Sequence, residues 1–103
     1  FLFIKNQQKL EKVYFKDIFY LEADGRYTKI ITKNKKYLLR RSLQDLINKF
    51  GKQQFIQTHR SFALNLQLVT SVDLFEHMIY LDNYHVPLSK RNKEMFLEKL
   101  EMI

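Results

Sequence analysis

The sequence predicts a mainly β protein with antiparallel pairing, one short internal helix and a C-terminal helix. Most apolar runs are short, rich in β-branched and aromatic residues, and closed by polar turn residues, which is the pattern of strands. Asp24-Gly25 between two such runs is a hairpin signal. Helical spacing of apolar residues occurs only after Ser42 and after Ser89. Parallel α/β folds need strands alternating regularly with crossover helices, and this chain lacks them.

In chain order, Phe1 to Lys5 and Lys9 to Tyr14 read as a hairpin around Asn6-Gln7-Gln8. Asp17 to Ala23 carries Ile18, Phe19, Tyr20 and Leu21, and the Asp24-Gly25 turn follows. Arg26 to Thr32 is the return strand, and Asn34 turns the chain into a strand from Lys36 to Arg41. Such tight turns imply antiparallel neighbours. Ser42 with Asp45 resembles a capping box, and Leu43, Leu46, Ile47 and Phe50 recur at helical spacing up to Gly51, placed as a C-cap. Strands are expected at Gln54 to Thr58, Ser61 to Asn65, Leu68 to Phe75, Met78 to Asp82 and His85 to Leu88. Ser89 to Ile103 is the second helix, with Phe96, Leu100 and Ile103 as its apolar stripe.

The 103 residues suit a single domain over 1–103, and the 46% apolar and 15% aromatic content excludes a disordered basic tail. Two glycines, one proline and no low-complexity run leave no internal linker. The absence of cysteine excludes disulfides and thiolate chemistry. No apolar run is long enough to span a bilayer and no signal peptide is visible, so a cytoplasmic location is expected. The chain opens on Phe1 and not on Met, and we expect a fragment of a longer protein.

Charge is segregated. Gly25 to Gln44 holds Arg26, Lys29, Lys33, Lys35, Lys36, Arg40 and Arg41 and no acid. Leu46 to Val72, around His59-Arg60, and Asn83 to Lys93 are also free of acids. With a net charge of +7, this is the footprint of a polyanion binder. The bland alternative is a set of solubilising lysines. The helix after Ser89 is more specific. Lys90, Arg91 and Lys93 fill its first turn, while Glu94, Glu98 and Glu101 come later. That order opposes the helix dipole, and it makes sense if the cations await an external phosphate. His59-Arg60-Ser61 between two strands can donate to phosphates or base edges, or can simply close a turn. His59, His77 and His85 lack metal-ligand spacing, and no cofactor is implied. No G-x-S-x-G, Walker A or dinucleotide loop is present, and His59 and Ser61 have no carboxylate partner for a triad, so no enzyme activity is expected.

Four stretches resemble the LytTR-type DNA-binding domain, the output module of many bacterial response regulators. They are Asp17 to Tyr27, Leu43 to Leu46, Phe55 to Asn65 with its His59-Arg60-Ser61 core, and Val86 to Arg91. The resemblance covers nearly the whole chain in the family's order. It implies an elongated antiparallel fold of about ten short strands in three small sheets, reading duplex DNA through loops on one side. It also implies an N-terminal receiver or other signalling domain, paired direct-repeat sites and two domains per operator. The stations it implies are Arg26 to Lys29, Arg60 and Arg91. Some members carry histidine where Thr28 stands, which leaves Lys29 as the substitute. The candidate DNA-binding residues are thus Arg26, Thr28, Lys29, Lys35, Lys36, His59, Arg60, Ser61, Asn65, Ser89, Lys90, Arg91 and Lys93. Competing readings are a single-strand or RNA binder stacking bases on Tyr27 and Tyr37, and a protein-interaction module facing an acidic partner.

Overall fold

A computed structural model describes all 103 residues. Ten strands form three antiparallel sheets. The N-terminal hairpin pairs β1 (Leu2–Asn6) with β2 (Lys9–Val13). A single 3-10 turn, Phe15–Asp17, leads into the central sheet. That sheet holds β3 (Ile18–Asp24), β4 (Tyr27–Thr32), β5 (Lys36–Leu39), β6 (Phe55–His59) and β7 (Phe62–Asn65), in the order β5-β4-β3-β7-β6. The third sheet orders β8 (Ser71–Asp73), β9 (Met78–Leu81) and β10 (Tyr84–Pro87) as β10-β9-β8. Helix α1 (Leu43–Phe50) lies between β5 and β6, and α2 (Lys90–Glu98) follows β10. The molecule measures 46 × 25 × 22 Å, so the fold is elongated.

Period-two alternation splits the central sheet between two cores. Ile18, Leu21, Ile30, Phe55 and Ala63 meet α1 and the N-terminal hairpin on one face. Phe19, Ile56 and Leu64 meet Phe96 of α2 and the third sheet on the other. The register of β3 against β4 shifts between Ile18 and Tyr20. Such a bulge puts two successive side chains on one side. Here Phe19 and Tyr20 both face the second core.

Three segments end earlier than the sequence suggests. The strand expected at Lys36 to Arg41 stops at Leu39, because the Thr28 hydroxyl takes the Arg41 carbonyl out of the ladder at 2.7 Å. Of Leu68 to Phe75 only Ser71–Asp73 is strand. The Asn65 side chain nucleates a 3-10 turn at Leu66–Leu68, and Asp73 Oδ1 accepts from the amides of Phe75 and Glu76 to make a turn. These side-chain bonds offer the backbone an alternative to pairing. Helix α2 ends at Glu98 and not at Ile103. Phe96 is its only buried side chain, and Ile103 is fully exposed, so no packing holds a further turn. The last bonds tighten, with Lys99 N donating to Phe96 O and Leu100 N to Leu97 O.

Candidate nucleic-acid interface

Arg26 sits at the tip of the β3–β4 hairpin, not at a strand start. Asp24 pairs with Tyr27, which leaves Gly25 and Arg26 as the whole loop. Of the two, Gly25 alone has positive φ, +62°. That is the pattern of a type II′ turn, in which glycine takes the first central place and the second tolerates any L-residue. The glycine therefore frees the next position for an exposed arginine.

The β6–β7 turn is also two residues long, with His59 paired to Phe62 and Arg60-Ser61 as the loop, but neither of its residues has positive φ. Its bracing is local. The Ser61 amide donates to His59 Nδ1 at 3.0 Å, and Gln57 Nε2 donates to the carbonyls of His59 and Arg60 at 3.2 and 3.4 Å. With Nδ1 accepting, a neutral His59 carries its proton on Nε2 and offers a donor there. The register shifts between Gln57 and His59, so Thr58 is an extra residue on β6. Its carbonyl accepts from the Ser89 amide at 2.8 Å. The bulge thereby ties the start of α2 to the His59-Arg60 turn, the re-aiming role that bulges serve beside functional sites.

Ser89 caps α2 by accepting from the Asn92 amide at 3.2 Å, and its own hydroxyl donates to Asn92 Oδ1 at 2.7 Å. The first turn contains no acid. Lys90 and Arg91 are exposed, and Lys93 is half-buried. Gln57, His59, Arg60, Ser89, Arg91 and Asn92 line one polar recess of about 440 Å³, with no apolar side chain in its wall. The family resemblance named Arg91, and not Lys90, as the station in this turn. The fold puts Arg91 into the recess beside Arg60 and leaves Lys90 outside it.

Strand directions bring the stations together. Glu22 pairs with Phe62 and Ala23 N donates to Ser61 O, so the β3–β4 and β6–β7 turns share one end of the central sheet. The Ser89–Thr58 bond adds the N-terminus of α2 to that end. All three stations implied by the family resemblance thus lie at one end of the central sheet. Each of Arg26, Arg60 and Arg91 is exposed, and none is in an ion pair.

Other candidates sit elsewhere. Asn65 is 0% exposed and Thr28 1%, so neither reaches a ligand. Asn65 Nδ2 donates to the carbonyls of Phe15 and Ile18, and its Oδ1 accepts from Gln67 N, so this motif residue joins strands. Thr28 holds Arg41 O, as above. Lys29 is an intermediate case, paired with Asp24 at 3.5 Å. Lys35 and Lys36 lie at the opposite end of the sheet, since Thr32 and Lys36 flank the β4–β5 turn. From Tyr27 to Thr32 is a distance of about 17 Å at roughly 3.4 Å per residue. There Lys35 bonds to Glu11, which also accepts from Tyr37 and Asn6. The hydrogen bond from Lys35 does most to hold the Glu11 carboxyl below its usual range, and the same pair raises Lys35. Gln57 and Asn92 were absent from the sequence candidates. Gln57 lies two residues before His59, the same face of a strand, which is a signal that could have found it.

The sequence model of the LytTr DNA-binding domain family matches residues 8–101. The chain belongs to this family. A solved LytTr DNA-binding domain from Bacillus cereus superimposes with a TM-score of 0.84 at 26% identity, covering 98% of this chain and 96% of that one. The heme-containing CO-sensing transcriptional regulator RcoM 2 of Paraburkholderia xenovorans is 28% identical over 93 residues, 85% of this chain and 35% of its own. The transcriptional regulatory protein YpdB of Escherichia coli is 23% identical over 91 residues, 84% of this chain and 37% of its own. The chain therefore spans about a third of the length of these regulators. Ten strands in three antiparallel sheets with two helices is the architecture that the LytTR resemblance implied. No helix is long and apolar enough to cross a membrane.

Proposed function

We propose that this LytTR domain is the sequence-specific duplex-DNA-binding module of a bacterial transcription regulator. The observation that carries the reading is the polar recess in which Arg60 and Arg91 stand together at the exposed end of the central sheet. Arginine's planar fork matches guanine O6 and N7 in the major groove, so these two are the base readers. Lys90 and Lys93 in the first turn of α2, with Arg26 at its hairpin tip, hold phosphates and fix orientation. In the same recess wall His59 offers its Nε2, while Gln57, whose amide nitrogen already braces the turn, offers its Oε1 as an acceptor. In the longer protein the domain follows an N-terminal receiver or other signalling domain, works in the cytoplasm, and binds paired direct repeats as two domains per operator. The relatives support this reading, being transcription regulators about three times as long as the match.

Selection from a random duplex library tests the proposal and supplies the operator. Binding to the selected duplex should fall steeply with salt, with a log-log slope of about −3 or steeper, from the three phosphate contacts named above at roughly −0.9 each. Single strands of the same sequence should compete poorly. Tyr37 is only 8% exposed and engaged with Glu11, so of the two stacking platforms a single-strand binder needs only Tyr27 is available. A slope near zero, or tighter binding of single strands, would refute the reading.

A further inference from the structure

We propose a fourth phosphate-binding station at Arg40 and Arg41, which extends the DNA footprint beyond the Arg60–Arg91 recess. This rests on the duplex-binding reading above. Strand β5 runs antiparallel to β4, with Thr28 opposite Leu39, so its C-terminal end lies beside the Arg26 hairpin tip. The five arginines of the chain, Arg26, Arg40, Arg41, Arg60 and Arg91, therefore all sit at one end of the central sheet. Every one is exposed and none has a carboxylate partner. Lysines supply both ion pairs of the molecule.

Arg40 and Arg41 are also held in place. Buried Thr28 donates its hydroxyl to the Arg41 carbonyl, which fixes the backbone of the pair just before α1. Both arginines border a recess lined by six apolar residues and by Lys5, Arg40, Arg41 and Lys49, so every charge in its wall is positive. The four cations at its rim suit an anion lying across it. The phosphodiester backbone is the anion within reach. Strands β5 and β6 are four strand steps apart, about 19 Å at roughly 4.8 Å per step. That exceeds the major-groove width of about 12 Å. A duplex read at the Arg60 edge therefore presents a different backbone stretch at the Arg40 edge of the same sheet end. Position and charge without base access make this a sequence-independent contact.

The test compares the unaltered chain with the double variant Arg40→Gln/Arg41→Gln on a library-selected duplex and on a random duplex of equal length. The salt slope should fall in magnitude by about 1.8, two contacts at roughly 0.9 each, on both duplexes. The selected-to-random affinity ratio should stay constant. An unchanged slope overturns the station. A reduced ratio overturns its assignment to phosphates, because the pair would then read bases. If the variant loses its thermal transition, ethylation interference with the unaltered chain decides. Interfering phosphates should form an outlying cluster about 19 Å from those at the Arg60 recess; a single central cluster overturns the proposal. If the unaltered chain itself shows no salt-dependent duplex binding, the functional reading fails before the variant is made.

Discussion

The two ends of the central sheet carry similar basic charge and use it differently. At one end Arg26, Arg60 and Arg91 stand on two-residue turns and a capped helix, exposed and unpaired. At the other, the β4–β5 turn carries Lys33, Lys35 and Lys36, and it is a junction of all three sheets. Lys35 reaches Glu11 of the N-terminal hairpin, and the Tyr84 hydroxyl of the third sheet donates to the carbonyls of Thr32 and Lys33 at 3.2 and 3.0 Å. At this end Lys35 alone has a carboxylate partner, while Lys33 and Lys36 are exposed and unpaired, so the contrast rests on Lys35 and on the bonds that join the sheets. Counting charges along the chain cannot separate the two ends.

The sharpest way to break that division is within the His-Arg-Ser motif, which ends in Asn65. Asn65→Ala should lower stability by about 2–3 kcal/mol in urea unfolding, because it strips partners from buried backbone groups. Whatever fraction stays folded should keep its base preference. Arg60→Ala should do the opposite, leaving the melting temperature unchanged and costing about 1–3 kcal/mol of binding to the selected duplex. Equal losses on selected and random duplexes would make Arg60 a phosphate contact. Exchanging these two outcomes would dissolve the contrast between motif residues that fold the chain and those that bind.

Smaller effects sharpen the comparison. Arg91→Lys should relax preference at one operator position, worth about 1–3 kcal/mol between matched and mismatched base, whereas Lys90→Arg should not. Replacing Lys90 by Ala should weaken DNA binding while raising stability by a few tenths of a kcal/mol, since a first-turn cation opposes the helix dipole. A stability loss in that variant would show Lys90 to be a fastening like Lys35. At the junction end the readout is pH. The Glu11 carboxyl is depressed in the folded chain, first by its bond from Lys35. A depressed carboxylate stabilises above its unfolded pKa and loses that contribution as pH falls through the folded value. Chemical unfolding should therefore show a shallow acid limb that Glu11→Gln removes, with duplex binding at neutral pH untouched. Loss of binding in that variant would place the junction end in the interface.

Local signals made much of this LytTR domain legible before folding. Gly25 marks a turn, Ser42 and Ser89 cap helices, and the apolar alternation marks strands, because each is decided by neighbours a few residues away. The misplaced cations after Ser89 and the His59-Arg60-Ser61 motif likewise pointed, from sequence alone, at the end we propose to bind DNA. What tertiary structure decided was which polar side chains remained free. Thr28 and Asn65 look like surface donors in the chain, yet their partners lie 13 to 50 residues away and enclose them. Lys35 stands in the same acid-free run as Arg26, and its neutralising Glu11 comes from another sheet. The grouping of Arg26, Arg60 and Arg91 likewise depends on which strand edges pair, through Glu22 opposite Phe62 and the Ser89–Thr58 bond. Charge and turn chemistry belong to the chain; whether a charge is satisfied or available belongs to the contacts that only the packed sheets bring together.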